Sequence, residues 1–348
     1  MAVKVTRRPW GSAEGEAVWL FDLEAEGLRA SVSNYGGVIQ SLRVLGGGGR
    51  SLDAVLGYDT LEEYRRSDTF FGAMIGPLAD RVAGGTCTLD GRTARLPLNA
   101  GPDASHCGDR GFHCRAWSWR EEADGLCLFA DLDEAATGLP GVLSVRLRYR
   151  LTEPYTLRLE YAAECTRQTA VSLTNHSYFT LNGGRGDCRD HRLTLRAERF
   201  AETERESDPI CTGRTLPVAG TPLDFREETR IGDAVDRRDF SEIARAGGVD
   251  HYFPVAGAGL REFALLRCEE SGLSLRCRSD APGLLVYTAN GLEAEQGKGG
   301  AVYGRNWGVC LETERFPNGV NLPDWRGSVL LEPGERFTSA TEFEFCWE

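Results

Sequence analysis

The chain has 348 residues, 41% hydrophobic, 26% charged and 9% aromatic, enough to build a large core. Its formal net charge of -12, with both signs interspersed, repels phosphate backbones and anionic bilayers, so nucleic acid and membrane are excluded as expected partners. No stretch approaches the ~20 apolar residues of a membrane helix or forms a signal-peptide core, and the 11 scattered cysteines, with no Cys-x-x-Cys pair or zinc spacing, read as free thiols of a reducing, cytoplasmic compartment.

In chain order the first signals are turns. Gly46-Gly47-Gly48-Gly49 and Asp90-Gly91 predict tight hairpin connections. Between them, residues 59–66 predict one or two helical turns with Asp59 or Thr60 as the cap. Farther on, Leu143, Val145, Leu147, Tyr149 and Leu151 alternate with Ser144, Arg146, Arg148 and Arg150. After a break at residues 152–156, Leu157, Leu159, Tyr161 and Ala163 alternate against Arg158 and Glu160, which predicts an antiparallel pair with one wet face. Residues 239–246 are a second helix candidate, Leu273, Leu275 and Cys277 alternate against Ser274, Arg276 and Arg278, and residues 328–347 predict two short strands around Pro333-Gly334. No segment sustains a 3.6-residue period, and no Gly-rich nucleotide fingerprint joins a strand to a helix. The expectation is an all-β protein, a single large twisted antiparallel β-sandwich domain over residues 1–348.

Chemistry-bearing residues stand out in five places: Asp80-Arg81, His106-Cys107-Gly108, His176, Asp250-His251 and Glu312. Histidine and glutamate inside apolar strand-like runs are costly to bury without a partner, so each needs one or has a task. His176 lies between Asn175 and Ser177, followed by Tyr178 and Phe179. Alone it reads equally as a half-buried strand histidine or as a proton donor with a reference pKa near 6.5. Glu312 lies between Leu311 and Thr313, before a Pro317-Asn318-Gly319 turn. Alone it reads equally as a strand-end salt bridge or as a general base whose pKa burial would raise. Arg81 alone suits the surface, His106 a turn, and Asp250-His251 a local ion pair.

Together these residues carry more. Ile75-Gly76 with Asp80-Arg81, Asp90-Gly91, Leu98-Asn99, His106 with Gly108 and Gly111-Phe112, and Asn175-His176-Ser177-Tyr178-Phe179 occur in one order with Asp224-Phe225-Arg226, Asp250-His251, Tyr287-Thr288 with Asn290, and Leu311-Glu312-Thr313 with Pro317, Val320 and Asn321. That order strongly resembles the aldose 1-epimerase (galactose mutarotase) family. The resemblance implies a galactose-mutarotase-like β-supersandwich with few short helices. It implies a cofactor-independent isomerase, with no metal, acting on a free monosaccharide as a monomer or homodimer. By the same match, Glu312 resembles the general base and His176 the general acid. Arg81, His106 and Asp250 resemble the residues that hold sugar hydroxyls, with Asp80 and Tyr178 as further substrate-binding candidates. The chemistry fits those side chains: opening a hemiacetal needs one group to take the C1 hydroxyl proton and another to protonate the ring oxygen.

The chain also departs from the family pattern. Leu285 stands where a glutamine is usual, Asp80 where an asparagine is, and Cys107 and Ala289 where glycines are. Leu285 leaves the preferred aldose open, and Cys107 reads as a tolerated small side chain or an oxidation-sensitive thiol. Alternatives are a sugar-binding or sensing domain of the same fold, an epimerase for a modified or phosphorylated sugar, and a glycoside hydrolase using Asp250 and Glu312, which leaves His176 without a role.

Overall fold

The computed structural model describes residues 3–152, 155–205 and 209–348. The turn expected at Glu153 and Pro154 therefore lies outside the described residues, as do Met1 and Ala2. Period-two patterning becomes sheet as expected. Leu143–Thr152 buries Leu143, Val145, Leu147, Tyr149 and Leu151 and pairs antiparallel with Thr156–Cys165. These two strands belong to a nine-stranded sheet that also contains Phe337–Trp347, Leu273–Ser279 and Arg261–Cys268.

Opposite it lie two smaller sheets. The N-terminal meander from Lys4–Ala13 to Ser51–Asp53 forms five strands, its last hairpin turning through Gly47–Gly49. A four-stranded sheet orders Tyr178–Phe179, Val309–Glu314, Gly283–Tyr287 and Asp250–Pro254. A bridge between Val55 and Phe179 links the two. One cluster of buried hydrophobic side chains takes members from all three sheets, including Phe21, Leu147, Leu159, Leu284, Leu311 and Phe343. Across the layers Phe179 meets Phe343 with ring centroids 4.7 Å apart. Each fully buried Leu, Val or Phe contributes about 1.5–3 kcal/mol relative to exposure.

Helices are few and short. Leu61–Arg66 starts at Thr60 through a capping box, with Glu63 N donating to the Thr60 hydroxyl and Thr60 N donating to the Glu63 carboxylate. Ser241–Ala246 is the helix expected at residues 239–246. Glu134–Thr137, Ile231–Val235 and Pro323–Val329 are helical too and were not expected. The C-terminal expectation needs correction. Leu330–Leu331 is short and pairs with Thr169–Ala170, but Phe337–Trp347 is an 11-residue strand between Thr156–Cys165 and Leu273–Ser279. Tertiary pairing on both sides, which local sequence does not report, extends it. No helix among the described residues is long and apolar enough to cross a membrane.

Candidate active site

Strand alternation builds the floor of the site. In Val309–Glu314 the side chains of Val309 and Leu311 enter the core, which turns Cys310, Glu312 and Glu314 to the other face. The neighbours obey the same rule: Phe179, Leu284, Val286 and Phe253 enter the core, and Tyr178, Leu285, Tyr287 and Asp250 face with Glu312. Register then sets the rows. Tyr178, Cys310, Tyr287 and Asp250 lie side by side, and Glu312 lies beside Leu285. At the next row Gly283 leaves room for the Tyr252 ring, whose atoms would approach within 2.3 Å of a Cβ there.

Two short pairings supply the walls. Arg81–Val82 pairs with Ala104–Ser105 and brings Arg81 beside His106, and Met74–Ile75 pairs with Thr174–Asn175 and holds His176 over the floor. The result is a cavity of about 180 Å³ lined by all seven expected residues: Asp80, Arg81, His106, His176, Tyr178, Asp250 and Glu312. It is smaller than the roughly 300–1,000 Å³ of drug-sized pockets, as suits a single sugar. Three lining residues, Phe70, Asp80 and His106, have left-handed backbones with φ of 59°, 55° and 53°. Non-glycine residues rarely adopt that conformation, which is enriched where a site dictates side-chain aim.

His176 Nε2 lies 3.5 Å from Glu312 Oε1, and the two residues are only 5% and 2% exposed. The imidazole stacks on Tyr178 with centroids 5.0 Å apart and meets His106 edge-on at 5.3 Å. Its Nδ1 is 3.5 Å from Cys310 Sγ. Burial pushes the two partners in opposite directions. The His176 imidazole falls to about 3, and the Glu312 carboxyl rises well above its usual range, helped by the negative charges of Asp80 and Asp250 and opposed by Arg81. His106 Nδ1 accepts from the Asp80 backbone N–H at 3.1 Å, which leaves Nε2 as the protonated nitrogen. Burial holds His106 well below its ordinary range, so it is a neutral donor. Arg81 pairs with Asp80 at 3.2 Å and lies 3.8 Å from Asp250. Burial outweighs this and lifts Asp250 to about 6.

Asp250 and His251 are not the local ion pair that adjacency suggested. Strand alternation sends His251 to the opposite face, 3.5 Å from Glu242 Oε2, with its Nδ1 accepting from Asp250 N. His176, Cys310 and Glu312 offer ligand atoms within 4.8 Å of one another, the geometry of a possible metal set. Cys310 and Glu312, however, face different nitrogens of the ring, so one bound ion would not meet all three along its lone pairs.

A model of the family described as aldose 1-epimerase matches residues 20–344. The chain belongs to the aldose 1-epimerase family. Galactose mutarotase from Sus scrofa is 36% identical over 348 residues, 99% of each chain. Aldose 1-epimerase from Escherichia coli (strain K12) is 31% identical, covering 92% of this chain and 93% of its own. Among solved structures, galactose 1-epimerase from Lactobacillus acidophilus superimposes with a TM-score of 0.86 at 26% identity over 99% of each chain. An aldose epimerase homologue from C. elegans gives 0.85 at 25% identity, covering 92% of this chain and 96% of that one. The all-β supersandwich of this family is the fold observed.

The departures from the family pattern acquire physical form. Cys107 and Ala289, at usual glycine positions, have φ of 64° and 52°, the region where glycine is at ease. The Cys107 thiol is buried against the backbone of Leu78 and pushed up to about 12, which makes it a poor target for oxidation. Leu285 faces the cavity across the strand from Glu312 and replaces a polar edge with hydrocarbon. Sequence reasoning missed Phe70, Cys310 and Glu314. Phe70 packs between His106 and His176, at 4.7 and 5.8 Å, and had no polar signal. Glu314 is 2% exposed, and neither of its carboxyl oxygens has a hydrogen-bond partner among the described residues. Its signal was available in the i, i+2 spacing from Glu312.

Proposed function

We propose that Glu312 and His176 form the proton-transfer pair of the aldose 1-epimerisation that family membership assigns to this isomerase. The observation that supports it is their 3.5 Å approach in a shared, buried, sugar-sized cavity. Glu312 takes the proton of the C1 hydroxyl, His176 Nε2 protonates the ring oxygen, and the C1–O5 bond breaks to give the open aldehyde. Rotation about C1–C2 presents the other carbonyl face, and the reverse transfers close the ring, each group exchanging its role. The pair enters ring opening as carboxylate and imidazolium, the minor arrangement of its single shared proton, and leaves it as carboxylic acid and imidazole, the arrangement that burial favours. A dry site favours the uncharged forms, so opening discharges a buried ion pair. Each positioned group contributes about 10²–10⁴-fold.

Arg81, His106 and Asp250 hold ring hydroxyls in this reading, with Asp80 orienting Arg81 and Tyr178 forming an apolar platform. The pocket surrounds Arg81 with Asp80, Asp250 and Glu312, a charge balance that supports a neutral sugar over a phosphorylated one. Galactose and glucose are the first substrates to test. The continuous core supports a single domain over residues 1–348, and the free cysteines support a reducing cytoplasm. Polarimetry on freshly dissolved pure anomers of a panel of aldoses tests the proposal. Both anomers of a substrate should reach the same final rotation faster with enzyme. Spontaneous rates throughout the panel at saturating sugar would reject it.

A further inference from the structure

We propose that Cys310 is a positioning residue whose sulfur, 3.5 Å from His176 Nδ1, holds the imidazole in the tautomer that leaves Nε2 free to give and take the substrate proton. The inference rests on the acid–base reading of His176 and Glu312.

The reaction sets the requirement. One nitrogen must lose a proton on ring opening and regain it on closure, and Nε2 is the one that faces Glu312. A neutral imidazole carries a single N–H. If Nδ1 gives up its hydrogen, Nε2 is locked as a donor, and losing that proton would leave an imidazolate. Nδ1 must therefore keep its hydrogen through both half-steps and needs an acceptor that does not depart.

The fold supplies one. Cys310 lies two residues before Glu312 on the same strand face, fully buried between the cross-strand partners Tyr178 and Tyr287. Tyr178 stacks on the His176 ring, which keeps Nδ1 over the sulfur and Nε2 over the carboxyl. Sulfur is a weak acceptor, and burial keeps Cys310 a neutral thiol by pushing it well above the usual range. A carboxylate in its place would trap the proton on the imidazolium. A neutral sulfur selects the nitrogen and leaves the proton mobile, which suits a thermoneutral isomerisation run in both directions.

The test combines 15N spectra of the His176 side chain with polarimetric kcat, KM and pH profiles for the wild type, Cys310→Ala, Cys310→Ser and Cys310→Asp. The wild type should show Nδ1–H with unprotonated Nε2. Cys310→Ala should mix the tautomers and lower kcat on the order of tenfold at unchanged KM, short of the ~10⁴-fold cost of a fully wrong tautomer. Cys310→Ser should restore Nδ1–H and most of kcat, because its hydroxyl oxygen accepts. Cys310→Asp should move the acidic limb upward. A wild type dominated by Nε2–H overturns the inference, as does a Cys310→Ala variant with the parent's kcat and pH profile, or one equivalent of zinc retained by the wild type and lost with the thiol. If His176→Asn itself keeps full activity, the acid–base reading has failed. If that variant is inactive and the Cys310 series is silent, only the role of the sulfur has failed.

Discussion

At the scale of single residues, the pair of Glu312 and His176 makes the sharpest predictions. Glu312→Gln keeps the shape of the side chain but cannot take a proton, so kcat should fall by about 10²–10⁴-fold while sugar binding stays measurable by calorimetry. His176→Asn should be comparably severe, and near-normal turnover by either would refute the roles. The pH–rate profile should still fall on both sides, but its limbs exchange owners relative to the simple expectation of a low-pKa base and a higher-pKa acid. The working pair carries one proton in total. Because burial lowers His176 to about 3 and raises Glu312, the acidic limb marks a second proton arriving on His176, and the alkaline limb marks loss of the proton held by Glu312. Glu312→Gln should therefore remove the alkaline limb from whatever residual rate remains. The sequence offered the two candidates but not this order, since desolvation belongs to the assembled cavity.

Among elements, legibility follows how local the cause is. Leu143–Thr152 was readable residue by residue, because one face meets the core and the other meets water. The capped turn at Thr60 was readable too, because a capping box is written within four consecutive residues. Thr60→Ala should cost about 1 kcal/mol, seen as a lower denaturant midpoint at unchanged slope, with kcat intact. Phe337–Trp347 was misjudged as short because its length is set by partners remote in the chain. All seven candidate binding and catalytic residues line one cavity, yet Cys310 and Glu314 escaped notice inside the very motif that was read. Their importance comes from cross-strand rows and from what is missing around a carboxyl group, and neither leaves a mark on the linear order.

The whole molecule carries the cost of its site as a dependence of stability on pH. Glu314 and Glu312 both titrate above their unfolded range when folded, Glu314 through burial and the charges of Asp80, Glu312 and Asp250. From the unfolded carboxyl pKa upward, the folded state therefore binds more protons than the unfolded state, and stability declines as pH rises through the folded values. Glu314→Gln removes one such contribution and leaves those of Glu312 and Asp250. Its melting temperature should exceed the parent's, with a margin that grows from pH 5 to pH 8 and vanishes below pH 4. A margin that is absent or reversed at pH 8 would mean that Glu314 has a partner for its charge.

Glu312 and its core-facing neighbours share a strand in which every second side chain belongs to a different job. Inserting or deleting one residue there would thrust two carboxyl groups into hydrocarbon and offer Leu311 and Thr313 to the sugar. That strand therefore tolerates a changed side chain far better than a changed length. Catalytic competence and a folded core are thus lost or inherited in a single event.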